Sequence, residues 1–417
     1  MSFSVNFPNI NPTLMIDCVN RSSLDSRVTF TRGSTATFVN SSGVITTAAA
    51  NVPRFDHNPS TLQPLGLLIE EARTNSIRNN TMQGAVAGTP GTVPTNWVIS
   101  TASGNLTSRE IVGIGTENGI AYVDVRFVAS GAVSASIYPE SPTGVAALNA
   151  QTWTTAFYVK LTSGSLTNVT VQTSIVENDS GGNFLAGANG SAFVPTSAAL
   201  ATQRFTQTRT NTNASTAFEW SRVLVTFSGA GDVTLRIGLP QLELGAFATS
   251  VIPTTTTALT RNADVASMTG TNFSSWYNAS EGTFVAETTV AAPRTTDFNV
   301  LRVDDGTSSN RAQVGSGSSA TLFNGFLVTS GALQGNNTVS VSPLGTKKVA
   351  FAFTANNSVT VAAGTAGSTD TTVTVPSGIN RLLFGRDDAA SYLNGTISRI
   401  AYYPTRLPNS TLQALTA

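Results

Sequence analysis

Apolar and polar residues alternate with a period of two along most of this chain. That period restricts the fold more than any other feature of the sequence. It is clear in RVTFTRGSTATFV (27–39), AYVDVRFVAS (121–130), TTAFYVKLTSG (154–164), VTVQTSIVEND (169–179) and VTLRIGLPQLELG (233–245). It returns in GTFVAETTV (282–290), KVAFAFTANNSVTVAAG (348–364) and INRLLFGRD (379–387). The segments are rich in Val, Thr, Phe and Ile and are bounded by Gly, Asn, Ser and Pro, the composition of half-buried strands joined by turns. Strand starts about 8 to 12 residues apart predict sandwiches, not βαβ units.

Helix is scarce. PNSTLQALT (408–416) has Leu412 and Leu415 three apart, with Asn409 or Ser410 available as an N-cap. GLLIEEARTNSIR (66–78) reads equally as a helix or as an extended segment. The fold class is therefore all-β: an irregular N-terminal anchoring segment (1–75), a jelly-roll-like antiparallel β-sandwich (76–252), a Thr-rich linker (253–272) and a second antiparallel sandwich (273–417). At 417 residues the chain has ample length for two cores. It shows no short repeat of the kind that builds solenoids or propellers.

Only 11% of residues are charged and the net charge is +0, against about 25% charged in ordinary soluble proteins. Such a surface stays wet through hydroxyls and amides. The longest basic run is Lys347-Lys348, so nothing replaces counterions along a phosphate backbone and nucleic acid is not an expected partner. No apolar run reaches the length of a membrane-spanning helix. The N-terminus lacks the basic and apolar regions of a secretory leader and is read as none. The single cysteine, Cys18, excludes an internal disulfide and Cys-cluster zinc sites and reads as a small buried residue.

The sequence carries no complete catalytic set. His57 is the only histidine, in the turn-like FDHNP, and no G-x-S-x-G elbow accompanies it. Phosphate-loop and dinucleotide fingerprints are absent, and GSGSS (315–319) reads as a flexible turn. Glycoside cleavage needs two carboxylates about one bond; Glu177-x-Asp179 reads instead as a solvated turn running into SGGN. Asp304-Asp305-Gly306 and Asp387-Asp388 lie in loops of the kind calcium uses, but ordinary Asp-Gly turn chemistry is the favoured reading and no metal site is expected. No cofactor is expected. Sugar-binding sandwiches use aromatic platforms, for which Trp276, Tyr277 and Tyr392 are the candidates, with core packing the competing reading. Trp153 and Trp220 fall inside strand patterns and read as core.

The densest stretch is VPRFDHNPSTLQPLGLLIEEARTN (52–75). Its prolines set extended backbone and turns, residues 65–69 form an apolar plug, and Arg54, Glu70, Glu71 and Arg73 are charges in a chain that has few. They are expected to be paired, within or between protomers, and to serve assembly.

Three stretches together resemble known proteins. Thr31-Arg32, Ser34-Thr35-Ala36-Thr37, the turn at 40–43, Pro53-Arg54-Phe55-Asp56 and GLLIEEARTN (66–75) resemble a segment recurrent in tailed-bacteriophage fibres, head spikes and their prophage relatives. The residue corresponding to His57 is aromatic or variable there. LPQLELGAFATSVIPTTTTALTRNADVASM (239–268) is similar to the closing part of a middle sandwich related to carbohydrate-binding-module jelly rolls. GTFVAE (282–287) through YLNGTISRIAYYPTRLPNSTLQAL (392–415) is similar to concanavalin-like or laminin-G-like sandwiches. The resemblance implies a non-enzymatic virion protein, a head or tail fibre, spike or decoration subunit, assembled in the bacterial cytoplasm. It implies contact with other capsid or tail proteins and, by analogy, a homotrimer, since edge strands need covering. Host-surface glycan is the implied ligand of the sandwiches. A polysaccharide depolymerase and a purely architectural decoration protein are the alternatives.

Overall fold

The computed structural model describes residues 11–140, 144–291, 297–316, 321–388 and 391–417. The end of the GSGSS turn lies outside the described residues. Among these residues nearly all regular secondary structure is antiparallel strand, and the main sheets form two sandwiches. The middle one packs a five-stranded sheet on a six-stranded sheet. Inward residues such as Val123, Val125, Phe157, Val223, Val225, Leu235 and Ile237 fill the space between them, alternating with polar neighbours as period two demands.

The other sandwich packs an eight-stranded sheet on a seven-stranded one. Its core holds Phe284, Leu301, Val303, Phe323, Phe351, Phe384 and Tyr402. Helix Asn409–Thr416 lies on the outer side of the larger sheet, where Leu412 meets Ala350, Ala352, Val361 and Tyr403. Pro408 occupies its N-cap position and no side chain caps it, so neither Asn409 nor Ser410 plays the expected capping role.

The N-terminal segment is not a separate anchor. Strand Leu14–Asp17 pairs with Gly395–Tyr403, and strand Pro64–Ile69 pairs with the start of that same strand. Strand Thr29–Thr31 joins Val265–Thr269 in the seven-stranded sheet. The Thr-rich stretch 253–272 is likewise structured: Leu259–Arg261 pairs with Arg73–Asn75, and Val265–Thr269 also pairs with Arg381–Phe384. Residues 66–75 are extended, not helical. The middle sandwich is thus an excursion between the two parts of one larger β unit.

Gly66 shows why the Pro64–Ile69 strand fits. Its φ is +105°, and a Cβ there would stand 2.2 Å from the carbonyl oxygen of Ile397. Gly66→Ala combines backbone strain with an unavoidable clash. It is expected to cost roughly 2–4 kcal/mol, read as a lowered urea midpoint with an unchanged m-value.

Candidate functional site

Two clusters concentrate the polar chemistry. The first is the ion-pair joint built from the stretch around residues 52–75. Arg54 Nη1 donates to Glu70 Oε2 (2.8 Å), Ser250 Oγ (2.8 Å) and Thr37 O (2.8 Å), and Nη2 donates to Asp264. Arg32 Nη1 reaches Asp264 Oδ1 at 3.1 Å, and Arg261 Nη1 reaches Glu70 Oε2 at 3.0 Å. Ser250, at the exit of the middle sandwich, donates its N–H and Oγ–H to Glu70. Burial raises the Glu70 carboxyl, but Arg261, Arg54 and the Ser250 bonds outweigh it and hold the group at about 2.

Arg54 and Glu70 are therefore paired within the chain and buried, where they cannot reach another protomer. Arg73 pairs with Glu71 and stacks on Phe247 at 4.7 Å. This joint is structural: each of its charges is paired with an opposite charge, although Glu70 also lines the cavity beside it. That cavity, of about 200 Å³, is also lined by Asp56, Tyr158 and Arg204, and burial pushes the Asp56 carboxyl up to about 6. His57 Nδ1 lies 3.1 Å from Phe55 O and 3.2 Å from Val39 O, a backbone-bracing role.

The second cluster is a groove of about 510 Å³ on the outer face of the seven-stranded sheet. Period two builds it. Leu301, Val303, Ala312, Val314, Phe323 and Leu327 point into the core, so the residues between them point outward. Register lines these up in rows: Arg302 opposite Gln313, Gln313 opposite Phe326, and Phe326 opposite Asn336. The adjacent row carries Asn299 and Asn324, each opposite Gly315.

Hydrogen bonds hold the amides in place. Gln313 Nε2 donates to Asn299 Oδ1 (2.7 Å), and Asn324 Nδ2 donates to Asn336 Oδ1 (2.8 Å). Asn324 Oδ1 is buried with no hydrogen-bond partner among the described residues. The Arg311 guanidinium lies 5.3 Å from the centroid of the Phe326 ring, and its Nε donates to Gln313 Oε1 at 3.1 Å. Burial, with Arg302 nearby, lowers the Arg311 pKa, while Asp387 and Asp304 oppose the shift. Arg302 is held by Asp304 Oδ2 (2.5 Å) and Thr307 O (2.7 Å). Asp297 and Asp387 line the rim and Leu333 supplies an exposed apolar contact. The set offers fixed amide donors and acceptors beside apolar surface, with charged side chains at its edges, a combination able to hydrogen-bond a polyhydroxylated ligand.

The aromatic candidates stand elsewhere. Trp276 is buried and packs edge-on against Phe273, Tyr277 and Tyr402, with Nε1 bonded to Asn272 O at 2.8 Å. Tyr277 stacks on Tyr402, and Tyr392 packs partly against the core with Arg386 over its ring. Trp276 is core, because a sugar platform needs an open ring face. Trp153 is core as expected, whereas Trp220 is half-buried on an outer face against Tyr138.

Asp179 makes the expected turn, accepting from Gly181 N and Asn183 N. Glu177, however, is fully buried and accepts from Arg209, Thr212, Asn213 and Thr216. Asp305 accepts from Thr307 and Asn310 as ordinary turn chemistry. Burial pushes the Cys18 thiol up to about 12.

No family model matches the chain, and no curated protein matches it. Among solved structures it is similar to the CBM40 of a Ruminococcus gnavus IT-sialidase bound to α2,3-sialyllactose. Identity there is 16% over 35% of this chain and 88% of that one, with a TM-score of 0.31. A heptameric SAP-like pentraxin from Limulus polyphemus gives 9% identity over 33% and 70% of the two chains, at a TM-score of 0.26. Trypanosoma rangeli sialidase with the inhibitor DANA gives 10% over 72% and 61%, at a TM-score of 0.29. Likenesses of this size fix neither ligand nor reaction.

Proposed function

We propose that this chain is a non-enzymatic structural subunit of a tailed-phage virion that binds neutral host-surface glycan in the groove on its seven-stranded sheet. The two adjacent rows of amides, Gln313 and Asn336 with Asn299 and Asn324, beside Phe326 carry the glycan reading. The resemblance of residues 30–75 to fibre and spike proteins supports the virion reading. Oligomerisation, proposed as a homotrimer, falls to the exposed sheet edges, since the buried charges of the joint pair internally.

Gln313→Ala and Asn324→Ala each remove an amide from the groove. Each is expected to weaken binding to immobilised neutral oligosaccharides about five- to tenfold, the worth of roughly 1 kcal/mol per net hydrogen bond. Unchanged binding in both variants would sink the assignment, and no binding by the wild type across a glycan array would favour a purely architectural subunit. Asp297 and Asp387 on the rim motivate a second reading, hydrolysis by a carboxylate pair. New reducing ends released from host polysaccharide, and lost in Asp297→Asn, would establish it. Antibody labelling of virions tests the structural role.

A further inference from the structure

Of the buried acids outside both clusters, Glu219 is the one whose carboxyl oxygens both lack a hydrogen-bond partner among the described residues. Glu219 lies on strand Phe218–Phe227, directly opposite Val145 on one side and Glu177 on the other. It is fully buried, and neither carboxyl oxygen has a hydrogen-bond partner among the described residues. Two residues on, Ser221 bonds Thr155 of the opposite sheet, so this side of the strand faces the sandwich interior. Val145, Trp153, Ile175 and Leu242 close that end with apolar surface.

The side chain of Asn211 lies beside Glu219. One Nδ2 hydrogen goes to Leu148 O at 3.0 Å, which fixes the amide orientation, and its Oδ1 is also buried without a partner among the described residues. A proton carried by Glu219 and donated to Asn211 Oδ1 satisfies both groups, with one N–H of the amide already given to Leu148 O. We propose that Glu219 is a neutral carboxylic acid donating its proton to Asn211 Oδ1, and that this proton is a pH-sensitive latch closing one end of the middle sandwich.

The surroundings agree. The charged groups acting on Glu219 are Glu177 and Arg209. Burial, and after it the Glu177 charge, push the Glu219 carboxyl up to about 8, against the opposing influence of Asn211 and Arg209. Arg209 is engaged by Glu177, so it does not neutralise a second carboxylate. Asn211 also ties two loops together: its N–H donates to Gln151 O, and its carbonyl accepts from Ala150 N. Glu177 fastens the neighbouring turn through Thr212 N and Asn213 N. Losing the proton would remove the Glu219–Asn211 bond and place two carboxylates opposite one another across adjacent strands.

The sign follows from linkage. The open end lets Glu219 ionise near its ordinary 4.5, whereas the closed end holds the proton to about 8. Closure is unpenalised below the lower value, weakens as pH rises between the two, and reaches a constant penalty above the upper one. The test is hydrogen–deuterium exchange of residues 144–153 and 209–217 from pH 5 to 8, corrected for intrinsic exchange, on the full chain and on Glu219→Gln. Opening is expected to rise by up to about tenfold per pH unit in the wild type. It should stay flat in Glu219→Gln, whose amide N–H₂ donates to Asn211 without ionising. Equal slopes in the two proteins, or no slope in the wild type, would overturn the latch. Infrared spectra of the wild type give a readout independent of the variant's folding. A protonated-carboxyl band present at pH 7 and lost towards pH 9 supports the proposal, and its absence at pH 7 refutes it.

Discussion

Asp264→Ala is expected to lower folding stability by about 3–5 kcal/mol, the cost of breaking a buried ion pair from one side. Asp264 is fully buried and accepts from Arg32, from Arg54 and from the Glu70 backbone N–H. The variant leaves both guanidinium side chains, each fully buried, facing a void. Arg54 keeps Glu70 and Arg32 keeps two backbone carbonyls, but neither gains solvent. The joint binds Arg32, Arg54 and Glu70 to Ser250 and to 261–264, so the loss should uncouple the middle sandwich from the larger β unit. Denaturant unfolding of the variant is then expected to show two transitions, against one expected for the wild type. A loss below about 1 kcal/mol would mean that water fills the site and that the joint is dispensable. The same joint sets acid sensitivity. The Glu70 carboxyl, held at about 2 against an ordinary 4.5, contributes stability that is complete above pH 4.5 and lost as pH falls towards 2.

Trp276→Ala is expected to cost about 3–5 kcal/mol through the cavity it leaves among Phe273, Phe284 and Tyr402. Glycan affinity of the folded fraction should be unchanged, since the groove lies on the outer face of the other sheet. Calorimetry and binding measured on the same variant separate two roles. A core residue loses thermal stability and keeps affinity; a sugar platform does the reverse. Loss of affinity with full stability would return Trp276 to the binding surface.

Much of the fold is legible in the sequence, because a strand's inside and outside are written in adjacent residues. The all-β class and most strands of the middle sandwich follow from alternation alone. Strands Asn299–Asp304, Arg311–Ser316, Phe323–Thr329 and Ala332–Val339 escape that reading. Their outward positions carry Asn, Gln and Gly, and their inward ones include Ala and Gly, so hydrophobic contrast is weak. The groove is built on those strands. A usable signal was present: Arg311 and Gln313, then Asn324 and Phe326, place polar or aromatic residues two apart on neighbouring strands. Glu177 was misplaced for a related reason, because a carboxylate at a strand end looks solvated until Arg209 and the 212–216 turn close over it.

By itself the sequence determined that this chain forms strands and that its few charges near residues 52–75 would be paired. Period two and the scarcity of charge are local properties, complete within a few residues. Tertiary structure alone decided which groups meet. Arg32 and Asp264 are separated by 232 residues and Ser250 and Glu70 by 180, and the amide rows exist only once four strands take one register. A shift of one residue in any of them would turn its amides into the core. The site is therefore a property of pairing, which no stretch of the chain specifies alone.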